Sequence, residues 1–64
     1  MFTITYRTHE GKTNNISMID KGYALFTVNA LLQAIDLEHL DLIDGFTGEV
    51  LFSWDNGKID WLAI

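Results

Sequence analysis

The chain has 64 residues, of which 48% are hydrophobic, and its formal net charge is −5. This length allows one domain, near the lower limit at which a hydrophobic core alone stabilises a fold. The absence of cysteine excludes disulfides, thiolate zinc sites and a cysteine nucleophile. No apolar run has the length of a membrane span, and the first residues lack the basic-then-apolar pattern of a signal peptide. We therefore expect a cytoplasmic protein.

Charge is unevenly distributed along the chain. Residues 1–32 have a net charge of +1, whereas residues 33–64 have a net charge of −6 because they contain one lysine. The acids of the second half are Asp36, Glu38, Asp41, Asp44, Glu49, Asp55 and Asp60. This balance disfavours nucleic-acid binding, because carboxylates repel phosphates. It is compatible with a basic protein partner, with cations, or with a surface that only keeps the chain soluble.

The first two segments predict a β-hairpin. Residues 2–8 alternate apolar and polar, which is typical of a half-buried strand, and a second run covers residues 14–19. The apolar residues of both runs share one face only if the numbers of paired residues sum to an even value. A three-residue loop over 9–11 meets this condition and places Gly11 in the left-handed region of a G1-bulge turn. The resulting register pairs Ile4 with Ile16 and Phe2 with Met18.

Residues 21–35 predict an α-helix. Asp20 precedes this segment as a candidate N-cap, and apolar residues recur with a helical period. The predicted stripe comprises Ala24, Leu25, Val28, Leu31, Leu32 and Ile35. Gly22 and two β-branched residues disfavour the helix, so a strand over 23–28 with a short helix after it is the alternative. We prefer the helix because the stripe is unbroken, with Phe26 on its far face.

Three further strands are predicted in the second half of the chain. Residues 40–43 form a short strand, and residues 50–54 and 59–64 alternate on either side of Asn56 and Gly57. Asn-Gly favours a type I′ turn, because both residues tolerate positive φ. The predicted pairs are Phe52 with Trp61, Leu42 with Val50 and Leu40 with Phe52. One face then carries Val50, Phe52, Trp54, Ile59, Trp61 and Ala63.

The chain therefore predicts an α+β fold, one domain over residues 1–64 with the order β-β-α-β-β-β. We expect a mainly antiparallel, five-stranded sheet with one helix packed on one face. The strand orders 2-1-5-4-3 and 2-1-3-4-5 both satisfy the pattern. Phe52 and Trp61 should be buried under Val28 and Leu32.

No group of residues predicts catalysis, a metal or a cofactor. His39 has carboxylates nearby, as a general base or a metal ligand would, but we interpret it as a surface histidine near the helix end. The acids at 36–44 lack EF-hand spacing, and the two glycines of residues 44–48 lack the basic residue and helix of a phosphate site. We expect a non-enzymatic protein that binds neither nucleic acid nor membrane.

The sheet face without a helix predicts a protein contact. Such a face is usually polar, yet in the last strands it carries aliphatic residues, and contiguous apolar surface marks contacts. Phe46, at a loop tip, either folds onto the core or is an exposed contact residue. The candidate interaction patch comprises Ile43, Phe46, Leu51, Leu62 and Ile64.

We expect a small interaction module that binds a protein partner or forms a weak homodimer through this face. The alternative is an acidic inhibitor or nucleic-acid mimic, whose carboxylates occupy a basic site on a partner. Salt distinguishes the two, since ion pairing is screened and aliphatic burial is not.

Overall fold

The computed structural model of the chain describes residues 1–34 and 36–61, apart from the side chains of Asp60 and Trp61. Within these residues the elements are β1 (Phe2–Thr8), β2 (Thr13–Met18), α1 (Lys21–Ala34), β3 (Leu37–Asp44), β4 (Val50–Asp55) and β5 (Lys58–Trp61). The strands form one sheet of order β2-β1-β3-β4-β5, and all neighbours are antiparallel. The α+β fold and its element order are confirmed, with the second of the two expected strand orders. No helix within the described residues has both the length and the apolar character to cross a membrane.

The hairpin of β1 and β2 has the predicted loop and register. The Thr8 N–H donates to the Lys12 carbonyl at 2.9 Å, and the Gly11 N–H donates to the Thr8 carbonyl at 2.9 Å. Gly11 has φ of +87°, the left-handed conformation that a G1-bulge turn requires. Ile4 faces Ile16, as expected.

Helix α1 begins at the predicted cap. The Tyr23 N–H donates to Asp20 Oδ2 at 2.8 Å, which satisfies one of the free donors of the first turn. Ala24 and Val28 are buried, and Phe26 is exposed on the far face. The rest of the predicted stripe, Leu25, Leu31 and Leu32, packs partly buried against the core, whereas Ile35 lies outside the described residues.

Strand β3 is longer than predicted, because it begins at Leu37 rather than Leu40. It pairs with β1 from Thr8–Leu37 to Phe2–Asp44, with an irregularity after Arg7. Since β1 lies between two strands, its second edge needs a partner along its whole length to satisfy the backbone donors and acceptors. The interpretation of His39 as a residue near a helix end is therefore wrong, since it lies within β3, although its side chain is 31% exposed at the surface.

The hairpin of β4 and β5 is confirmed. Asn56 has φ of +46° and Gly57 has φ of +91°, which fits the two central positions of a type I′ turn. This turn places Phe52 opposite Trp61. Phe52 is 1% exposed; the side chain of Trp61, whose burial was also expected, lies outside the described part of the chain.

The predicted register between β3 and β4 is wrong by two residues. Leu42 faces Phe52 and not Val50, and Leu40 faces Trp54 and not Phe52. The face of each of these four core-facing residues is unchanged, because a shift of two preserves the alternation. Val50 was expected on the same face, and its position is altered by a bulge.

The bulge connects two different registers, the one set by the loop before β4 and the one set by the hydrophobic residues of β4. The Asp44 N–H donates to the Glu49 carbonyl at 2.8 Å, and Ile43 faces Val50, so residue numbers across the loop sum to an odd value. Continued without interruption, this register would turn the aromatic residues of β4 away from the leucines of β3. Leu51 is the extra residue that restores an even sum.

The core lies between α1 and the sheet. Its buried residues are Ile4, Ala24, Val28, Leu37, Leu40, Leu42, Leu51 and Phe52. Helix α1 packs over β1, β2 and β3. A groove of about 220 Å³ remains beside the helix, lined by Leu25, Val28, Asn29, Leu32, Phe52 and Ile59.

Candidate functional site

Of the five residues of the expected interaction patch, the structure describes Ile43, Phe46 and Leu51. Leu51, expected on the uncovered sheet face, is 7% exposed and belongs to the core, because the bulge turns it inward. Ile43 is half-buried beside Val50 on the uncovered face. Leu62 and Ile64 lie outside the described residues. Among the three described members of the predicted set, Phe46 alone is strongly exposed, at 84%.

The centre of the uncovered face is polar. His39 Nε2 lies 2.9 Å from Asp41 Oδ2, and His39 Nδ1 lies 3.4 Å from Asp55 Oδ1. Two strands build this cluster: His39 and Asp41 share a face of β3 by their spacing of two, and Asp55 faces His39 from β4. The ring thus joins the two strands near the Asn56-Gly57 turn.

The surroundings of His39 favour its charged form. The hydrogen bond to Asp41 raises the pKa of the imidazole, desolvation lowers it, and Asp55 adds a further rise, so that the net direction is upward. In the imidazolium both nitrogens donate to carboxylates. Through these two contacts the ring links β3 to β4.

The neighbours of this cluster extend the polar surface. Arg7, which faces His39 from β1, donates from Nε to Glu38 Oε2 at 3.2 Å, and both side chains are partly exposed. Thr5 and Ser53 flank Asp41 on the adjacent strands. Among the described residues, no group of three or more His, Asp and Glu side chains is placed to hold a metal ion.

Five exposed apolar side chains lie on elements that meet at one end of the sheet. Phe2 faces both Met18 and Asp44, so the end of β2, the start of β1 and the end of β3 lie side by side. Helix α1 also starts here, because only Ile19 and Asp20 separate the end of β2 from Lys21. We call the exposed residues of this region the apolar end: Met1 (50% exposed), Ile19 (85%), Tyr23 (62%), Phe26 (69%) and Phe46 (84%).

Hydrogen bonds hold the loop that presents Phe46. The Phe46 N–H donates to Asp44 Oδ1 at 2.9 Å, and the Gly48 N–H donates to the Asp44 carbonyl at 2.8 Å. The Gly45 N–H donates to the Met1 carbonyl at 2.8 Å, which ties the loop to the start of β1. Gly48 has φ of +77°, which a residue with a Cβ adopts only at a cost. The loop therefore holds Phe46 at a defined point of the surface.

On the helix, Tyr23 and Phe26 form the second part of the apolar end. Their rings are 6.4 Å apart at an interplanar angle of 84°, an edge-to-face arrangement that aromatic pairs favour. Two hydrogen bonds hold the backbone of Tyr23. Its N–H donates to the cap residue Asp20, and its carbonyl accepts a hydrogen bond from Thr27 Oγ1 at 2.8 Å.

Sequence reasoning missed both clusters. The His39 cluster needs the register of β3 against β4, but the i, i+2 spacing of His39 and Asp41 was a usable signal that they share a face. For the apolar end, the signal was that Tyr23 and Phe26 fall on the helix face opposite the stripe. Phe46 joins them only through the strand order, which places the end of β3 beside the start of β1.

Comparison of the chain with protein-family models, with curated proteins and with solved structures found no match.

Proposed function

We propose that this protein is a small non-enzymatic interaction module that binds a partner protein through its apolar end. The observation that carries the proposal is the exposure of five large apolar side chains on elements that meet at one end of the sheet, with Phe46 at 84%. Single exposed apolar residues are ordinary on protein surfaces, but a cluster of them marks a contact surface.

Rigidity supports the choice of Phe46 as the central contact. Binding costs less when a side chain is already held in its bound position, because less conformational freedom is lost. For Phe46, the hydrogen bonds of residues 44–49 fix the backbone, so that binding has to order only the side chain. Aromatic anchors of this kind carry a large share of interface energy, often about 2 kcal/mol or more each.

The charge of the chain indicates the chemistry of the partner. At a net charge of −5, the protein attracts surfaces with basic residues and repels acidic ones. Asp20, Asp44 and Glu49 lie at the same end as Phe46, close in sequence to the residues of the apolar end. We therefore propose a partner with an apolar pocket for Phe46 and basic residues around that pocket.

The experiment compares three forms of the protein as bait in affinity capture from the native cell. Phe46→Ser should lose the captured partner, with a weakening of about 30-fold for 2 kcal/mol, while its thermal stability stays near wild type because the ring is exposed. The matched control is Ile59→Ser, an apolar residue 57% exposed that lies beside the Asn56-Gly57 turn, at the other end of the sheet. Capture that is indifferent to Phe46→Ser, or that depends on Ile59 to the same degree, would contradict the proposal.

The acidic-inhibitor alternative is favoured by one observation. The strand order places β3, β4 and β5, which carry most of the acids, next to one another. Binding by these carboxylates would be lost at about 1 M salt, where the screening length is about 3 Å, and it would be unaffected by Phe46→Ser. Capture repeated at high salt separates the two functions.

A further inference from the structure

We propose that two copies of this chain associate through their β2 edges, so that their sheets join into one continuous antiparallel sheet. This inference concerns the backbone edge of β2 and not the side chains of the apolar end, of which Ile19 directly follows β2, and it does not rest on the proposed function. It follows from the hydrogen-bonding edge of β2, from the lack of features that block such an edge, and from the distribution of charge.

The free groups of β2 are set by its pairing with β1. In an antiparallel ladder, residues alternate between pairs that exchange hydrogen bonds and pairs that do not. The Thr8 N–H donates to the Lys12 carbonyl, so Lys12 directs its backbone groups toward β1. Along the register that follows, the N–H and C=O groups that point away from β1 belong to Thr13, Asn15 and Ser17.

The outward-pointing backbone groups of one β2 can pair with the same groups of a second β2. If a second β2 runs antiparallel with Asn15 opposite Asn15 of the other copy, then Thr13 lies opposite Ser17 and Ser17 opposite Thr13. Each of these three pairs joins outward-pointing residues, so each exchanges two hydrogen bonds. A two-fold axis through the Asn15 pair relates the copies, which is the symmetry that lets one surface meet itself. Both copies then place α1 on the same side of the joined sheet.

Nothing in β2 protects this edge. Natural edge strands are usually blocked by proline, by charged side chains, by a bulge or by short length. Thr13–Met18 contains neither proline nor a charged residue, and its six residues pair with β1 without a register shift. The opposite edge differs: the four described residues of β5 include Lys58 and Asp60.

Charge favours association at β2. Each copy has a net charge of −5, but residues 1–32, which contain β1, β2 and most of α1, have a net charge of +1. The acids of β3, β4 and β5 lie beyond β1 in the sheet. Copies that meet at β2 keep their acidic strands as far apart as the sheet allows, which minimises repulsion between them.

The test uses Asn15, which lies opposite Asn15 of the other copy in the proposed dimer. Asn15 is exposed, and facing Cα atoms in a hydrogen-bonded pair are about 5.5 Å apart, so Asn15→Lys or Asn15→Asp would place two like charges against each other. Sedimentation equilibrium of the wild type, from about 10 μM to about 1 mM, should show a dimer. Either variant alone should weaken dimerisation at least tenfold, and an equimolar mixture of the two should restore it as a heterodimer, because opposite charges then face each other.

Lys58→Glu, a charge reversal at the β5 edge, is the matched control and should leave dimerisation unchanged. Circular dichroism verifies that each variant is folded. A wild type that stays monomeric at about 1 mM would overturn the inference, as would a dimer that Asn15→Lys leaves intact, or a mixture that fails to reassociate. Phe46→Ser should not alter the dimer, so failure of this inference and failure of the proposed function are distinguishable.

Discussion

Replacement of Leu51 by alanine tests the bulge, the feature that most changed the expected surface. The substitution removes three carbon groups from a side chain that is 7% exposed. At about 0.8 kcal/mol per buried carbon group, the lost burial amounts to about 2.2 kcal/mol. A residual cavity adds to this, so we expect a loss of about 2–4 kcal/mol. The total stability of a chain this size is about 3–10 kcal/mol.

The assay is urea unfolding followed by circular dichroism at one fixed protein concentration. Two alanine substitutions calibrate it: Leu42→Ala, at a fully buried position, and Ile19→Ala, at a position 85% exposed. We expect Leu51→Ala to resemble the first, with Ile19→Ala within about 0.5 kcal/mol of wild type. A cost below about 1 kcal/mol, close to that of Ile19→Ala, would mean that Leu51 faces solvent and would refute the inward bulge.

Two further predictions concern the turn and the histidine. Substitution of both Asn56 and Gly57 by alanine should destabilise the protein by about 1–3 kcal/mol in the same assay, because alanine is strained at positive φ; an unchanged midpoint would contradict the type I′ turn. The raised pKa of His39 stabilises the fold fully below its ordinary value of 6.5, and this contribution is lost as pH rises through the higher folded value. The stability of wild type over His39→Gln should therefore shrink as the pH rises above the ordinary value of 6.5, and a ring titration by NMR with a pKa below 6.5 would show the reverse.

Turns and caps were predictable from the sequence because they depend on a few neighbouring residues. The loop with Gly11, the turn with Asn56 and Gly57, and the cap at Asp20 each rest on backbone conformations or hydrogen bonds within about three residues. The side-chain alternation then places each strand residue on a face. This is why Phe52 opposite Trp61 and Ile4 opposite Ile16 were correct.

Strand order required the tertiary structure. With β3 predicted to begin at Leu40, the linker after the helix was long enough for either order. In the structure only two residues separate Ala34 from Leu37, and strands are spaced about 4.8 Å apart. Because α1 lies over β1, β2 and β3, this short linker returns the chain beside β1 rather than to the far edge. The apolar end follows from that placement, because the end of β3 and the loop with Phe46 then lie beside Met1.

The position of Leu51 also required the tertiary structure, for a different reason. The hydrogen bond of Asp44 to Glu49 sets a register in which paired residue numbers sum to an odd value. The aromatic residues of β4 face the core only if paired residue numbers sum to an even value. The alternation of the sequence shows only this second condition. A bulge satisfies both, since one extra residue changes the parity of the pairing. The alternation of residues 50–54 thus determined which way Phe52 and Trp54 point, while the hydrogen-bonded loop decided that Leu51 joins the core and Val50 does not.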